Sequence, residues 1–211
     1  MDANGKFLDK TKLQLVYQYQ PFVNHTLKKQ KKVVISYSKQ DLKLVHKFKQ
    51  YMYSLHLQDF IDDPWYCTEL IAGDEWNETI QAKFNEVDII FFMISENLMS
   101  TQYVLDHEIK NAIARYDKDK SLKIVPILLV HYDWKLKGGY DLSRFVALPF
   151  TLKPVCAFDD QHTAWYTIQQ AVKFMIDKDI DPLNTNTALT SEIKRIYEEI
   201  IDSQKPTQKP S

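Results

Sequence analysis

The chain has 211 residues, 45% hydrophobic and 26% charged, with a formal net charge of −1. That balance fits a globular domain and gives no electrostatic basis for binding nucleic acid or an anionic membrane surface, and no apolar run reaches the roughly 18 residues of a membrane span. With only Gly5, Gly73, Gly138 and Gly139 available, the chain carries neither a G-x-G-x-x-G fingerprint, nor a Walker A loop, nor a G-x-S-x-G elbow.

Residues 1–31 read as an N-terminal extension, with "LKKQKK" as a basic connector and no apolar segment of a secretory leader. "KVVISYS" (32–38) is a β-branched run of the kind that forms a buried strand. In the following segment (39–56) Leu42, Val45, Phe48, Met52 and Leu55 recur at threes and fours, which predicts an amphipathic helix. "LQDFIDD" (57–63) is a weaker strand, followed by a loop (63–76) punctuated by Pro64 and Gly73. A second helix follows (74–87), with Asp74 as cap and Trp76, Ile80 and Phe84 as its inner stripe. "VDIIFFMIS" (87–95) is apolar nearly throughout, as a central strand covered on both faces must be. "STQYVLDHEIKNAI" (100–113) is the next helix, with Leu105, Ile109, Ala112 and Ile113 inward. "LKIVPILLV" (122–130) is a further buried strand, and after an irregular connection "KPVCAF" (153–158) is expected as the last strand. Trp165, Ile168, Val172 and Ile176 align on a final helix (162–176), and residues 179–211 form a tail with one possible helix (190–201) and a polar end. Cys67 and Cys156 are too few for a disulfide framework, so reduced thiols and a cytoplasmic location are expected.

Strands alternating with helices predict an α/β domain over 32–178, with a parallel sheet covered on both faces. Such sheets bind ligands beyond the carboxyl ends of their strands. One residue is out of keeping with a purely structural helix. Glu108 lies three residues after Leu105, on the flank of the buried stripe, in a segment that begins near that edge. "HEIKN" starts like a zincin helix, but Asn111 stands where the second histidine is required, so no metal is expected. Asp62 and Asp63 could suggest the acidic pocket of a phospho-acceptor domain, but "VVISYS" supplies no acid after the first strand.

Taken together, "VVISYSKQD", "ELIAGDEWNETI", "VDIIFFMISENLMSTQYVLDHEI", "IVPILLVHYDW" and "ALPFTLKPV" resemble the Toll/interleukin-1 receptor (TIR) domain, in its bacterial form, over roughly residues 31–178. The resemblance implies a flavodoxin-like sheet of five parallel strands and a partner-binding loop at 62–76. Members of this family either assemble with one another as adaptors or cleave NAD+ at the nicotinamide–ribose bond. The cleaving members require a glutamate on the third helix, which falls on Glu108 here. Where many of them place an aromatic four residues earlier, this chain has Val104, with Tyr103 one step before. Ile61 replaces an aromatic near the end of the second strand, and the loop carries extra residues around "PWYCTE".

A single carboxylate suffices for that chemistry. Nicotinamide leaves as a neutral molecule from a cationic precursor, so no general acid is needed, unlike ordinary glycoside hydrolysis. The demand is stabilisation of positive charge on the ribose, which a fixed carboxylate supplies. Ser36, Tyr37, Ser38, Asp62, Trp76, Ser100, Tyr103 and Val104 are the expected substrate-binding residues around Glu108. NAD+ is then substrate rather than cofactor, the products are nicotinamide and a free, cyclised or conjugated ADP-ribose, and the setting implied is defence signalling. Self-association and an upstream sensor or downstream effector are the implied partners. The alternative is a non-catalytic TIR–TIR assembly module, and a weaker one a deoxyribosyl transferase on a similar fold.

Overall fold

The computed structural model describes residues 29–63, 65–66, 82, 84–136 and 138–177. The expectations for residues 1–28, for the partner-binding loop at 62–76 beyond residue 66, for most of the helix at 74–87 and for the tail lie outside the described residues. Four parallel strands, β1 (Val33–Ser36), β2 (Trp65–Tyr66), β3 (Ile89–Ile94) and β4 (Lys123–Leu128), stand in the order β2-β1-β3-β4. The chain leaves β1 for one side of it and returns on the other, so the strand order switches between β1 and β3. That is where an open α/β sheet leaves a crevice at its carboxyl edge.

Alternation along the strands sorts the core into two layers. Val33, Ile35, Phe91, Met93, Val125 and Ile127 face α1 (Leu42–His56) and α4 (Gln161–Asp177). Phe48 is at the centre of that layer, edge-on to Phe91 at 5.1 Å and 6.1 Å from Trp165. Val34, Ile90, Phe92, Ile94, Ile124 and Leu128 face the opposite side, against α3 (Lys110–Lys118), which contributes Ala112, Ile113 and Tyr116. Helices on both faces are therefore as the alternation of elements required. Leu42, expected in the inner stripe of α1, is instead 39% exposed at the first turn.

The expected five-stranded sheet is not reached among the described residues. "KPVCAF" does not pair as a strand: Val155–Ala157 is a 3-10 turn, joined to the end of β4 by Cys156 N–H donating to Leu129 O. The outer edge of β4 is instead met by Leu148, at a single parallel bridge to Ile127. A proline explains why the bridge stays short. Leu129 donates towards β3 and Leu128 towards Leu148, so position 126 faces the outer edge, where Pro126 has no N–H to extend the ladder.

Strand two is not at 57–63 as expected: residues 57–60 are turn, Ile61 makes an isolated bridge, and β2 is Trp65–Tyr66, inside the segment expected as loop. Lys31 bridges Ile61, an offset of 30 residues, whereas Val34 pairs with Trp65, an offset of 31. One extra residue bulges between them, and the Asp62 carboxylate fills the gap by accepting the Val33 N–H at 3.0 Å. Asp88 does the same on the other side, accepting the Lys32 N–H at 2.7 Å. Two aspartates thus finish the amino end of β1.

Candidate active site at the carboxyl edge of β1 and β3

Ser36 ends β1 and points to the same face as Val34, towards the layer that carries α3. Its hydroxyl donates to Glu108 Oε2 at 2.5 Å. Both side chains are buried, Ser36 at 0% and Glu108 at 3% exposure. The carboxylate that borders the apolar stripe of its helix is therefore turned to the end of the central strand, not to solvent.

The backbone around Glu108 is unusual. After the short α2 (Glu96–Met99), residues Val104–Ile109 form a π-helical turn before α3 resumes regular winding. Such wide turns inside helices occur frequently at functional sites. The outer side of this turn is pinned by Asp106, which accepts from Tyr140 Oη at 2.6 Å and from Gln102 Nε2 at 2.6 Å. These two bonds hold the Asp106 carboxyl below its ordinary value, and the Asp106 bond raises the Tyr140 phenol. Tyr103 stacks on His107, ring centroids 4.8 Å apart, and packs against the α3-side core.

A second buried carboxylate lies at the same edge. Asp41, 8% exposed, closes the 3-10 turn Lys39–Asp41 that leads into α1. Ser95, the residue after β3, donates its hydroxyl to Asp41 Oδ2, and Asn97 Nδ2 donates to Asp41 Oδ1 at 2.9 Å. The Ser95 hydroxyl also accepts the Leu98 N–H at 3.1 Å, capping α2.

The candidate residues named from the sequence divide into groups. Ser36 and Glu108 are in direct contact, and Val104, which opens the same turn, is buried in the core layer. Ser38 is half-buried just beyond Ser36, capping the 3-10 turn through Gln40 N–H. Tyr37 is 6% exposed but belongs to the other core layer, with α1 and α4, because adjacent strand residues face opposite ways. Ser100 is exposed and donates to Asn97 O at 3.3 Å within its own turn. Asp62 is at the amino end of β1, the wrong end of the strand for this site, where its role is to finish the sheet. Burial is the main cause of its raised pKa. Trp76 lies outside the described residues.

Asp41, Ser95 and Asn97 were not singled out from the sequence. "SKQD" and "SENL" read as ordinary helix-starting segments, and nothing in their spacing says that the two would meet across the sheet. Among the described residues no three His, Cys, Asp or Glu side chains come together as a metal site, and no helix is long and apolar enough to cross a membrane.

The family model described as TIR domain matches residues 33–161. An uncharacterized protein, y4lF of Sinorhizobium fredii (strain NBRC 101917 / NGR234), is 26% identical over 141 residues. That stretch is 67% of this chain and 42% of the relative, so the chain spans well under half the length of that protein.

Proposed function

We propose that this chain, which belongs to the TIR domain family, cleaves NAD+ at the nicotinamide–ribose bond with Glu108 as the essential carboxylate. The observation that carries the reading is the buried Glu108–Ser36 pair at the carboxyl edge of the switch point between β1 and β3. A buried carboxylate at the place where α/β sheets hold ligands is costly to fold around and suited to stabilising a cation.

The chemistry follows from that placement. The C1′–N bond breaks with its electron pair going to nicotinamide, which becomes neutral. Positive charge develops on the ribose ring and is met by the Glu108 carboxylate. Ribose hydroxyls take over as donors to the carboxylate in place of the Ser36 hydroxyl. Water then adds to C1′ and loses a proton, giving ADP-ribose; attack by another nucleophile gives a cyclised or conjugated product. Because Glu108 is almost fully covered, the segments around it must part to admit the ribose. Assembly of several copies through TIR–TIR contacts supplies a means to drive that opening.

The closed carboxylate also favours a second reading. With Glu108 buried and Val104 in place of an aromatic, the domain could serve as an assembly module whose glutamate is structural. Release of nicotinamide from NAD+ by the wild-type protein, lost in Glu108→Gln, supports the enzyme; activity absent from both in the assembled protein supports the module.

A further inference from the structure

The two serine–carboxylate pairs at the sheet edge are crossed. Glu108, on the segment that follows β3, is bonded to the serine ending β1. Asp41, on the turn that follows β1, is bonded to the serine following β3. Each strand exit is thereby tied to the helix of its neighbour, and the two strands pair directly, Ser36 beside Phe92.

We infer that Asp41 is a positioning residue for Glu108. In this role it acts through the segment that carries the glutamate rather than on the reacting atoms. The path is continuous. Asp41 holds Ser95, which caps α2, and holds Asn97. Asn97 O accepts from Thr101 Oγ1 at 2.8 Å, and Thr101 O accepts from Leu105 N–H at 3.1 Å, inside the π-helical turn. Asp41 therefore fixes the start of the segment whose far end presents Glu108, and Ser36 fixes that far end. Its burial carries the same message. A carboxylate 8% exposed whose oxygens take a serine hydroxyl and an asparagine amide is an expensive way to cap a turn. It is a stiff way to hold two chain segments in one register.

This role rests on the NAD+-cleavage reading, and the experiment separates the two. Steady-state NAD+ turnover is measured for the wild type, Asp41→Ala, Asp41→Asn, Ser95→Ala and the Asp41→Ala/Ser95→Ala pair, with amide hydrogen exchange on each. Misplacing a catalytic group by about 1 Å costs up to about 10²-fold, so Asp41→Ala should lower kcat by about 10- to 100-fold with KM little changed. Asp41→Asn, which keeps one acceptor oxygen, should recover part of kcat. The double variant should be no worse than Asp41→Ala alone. Exchange should rise over 96–109 and stay unchanged over 161–177. Unaltered kcat in Asp41→Ala, or a loss accompanied by faster exchange throughout the domain, overturns the role. If the wild type and Glu108→Ala are equally inert on NAD+, the cleavage reading falls, and exchange over 96–109 still decides whether Asp41 holds the Glu108 segment. Should Asp41→Ala not fold, Asn97→Ala removes one of the two donors to Asp41 and is read in the same way.

Discussion

Replacing Ser36 with alanine isolates the contact on which the site is built. Ser36 is fully buried and its hydroxyl donates to a carboxylate that is 3% exposed, so water has little access to replace it. A hydrogen bond to a charged group contributes about 1.5–3 kcal/mol, and a buried charge that loses a donor keeps its desolvation penalty. Ser36→Ala should therefore destabilise the wild type by about 1.5–3 kcal/mol. For a domain of this size that is a fall in Tm of roughly 3–12 °C. In a Glu108→Ala background the same change removes only a hydroxyl whose acceptor is already gone, and should lie within about 0.5 kcal/mol of neutral. Urea unfolding of the four proteins, with m unchanged across the set, gives the coupling directly. An equal effect of Ser36→Ala in both backgrounds would show that the pair stores no interaction energy and refute the reasoning.

Three further outcomes follow from the polar groups outside the site. Asp62→Ala leaves the Val33 N–H without its acceptor and should destabilise by about 1–3 kcal/mol, while Asp62→Asn keeps the acceptor; neither should alter turnover, because Asp62 is at the far end of β1. The Asp62 carboxyl is raised from 3.8 chiefly by burial, so folding favours its protonated form. Its contribution is full below 3.8 and is lost as pH rises through the folded value. Asp62→Asn should remove that loss, which chemical unfolding across pH 3–6 would detect. Asp117 behaves oppositely. Its bonds from Arg144 hold it below 3.8, so its contribution is present above 3.8 and lost as pH falls through the folded value. Thermal unfolding of Asp117→Asn below pH 4 should show a shallower acid decline than the wild type; parallel curves would remove Asp117 from the account.

Much of the fold was legible because burial on both faces leaves a plain mark. "VVIS", "IIFFMI" and "KIVPIL" are each fully buried strands, and the stripes at 45–55 and 165–176 face the core as their spacing required. The sheet edge was less legible. A fifth strand was expected from "KPVCAF", but a proline on β4 facing outward limits pairing there to one bridge at Leu148. At the site, Glu108 was singled out through its family resemblance and its place on the helix, with Ser36 named beside it, and the structure puts the two in contact. Tyr37 was grouped with Ser36 although strand alternation sends it to the other face. Asp62 was placed at the carboxyl edge because residues 57–63 were expected to be the second strand itself, whereas pairing with β1 only begins at Ile61, opposite Lys31, and β2 is Trp65–Tyr66. Asp41 and Ser95 were missed for a related reason. Each looks like a local cap, and only the adjacency of β1 and β3 brings them together.

The most direct measurement is NAD+ turnover by the purified protein and by Glu108→Ala, at high protein concentration with a crowding agent to promote assembly, with products separated by chromatography and identified by mass. The expected result is nicotinamide released in step with NAD+ loss, and a fall of at least about 10²–10³-fold in Glu108→Ala, the scale of losing one preorganised electrostatic group. Equal inertness of the wild type and Glu108→Ala in a sample seen to be assembled would contradict the catalytic reading and leave Glu108 as a structural residue of an assembly module.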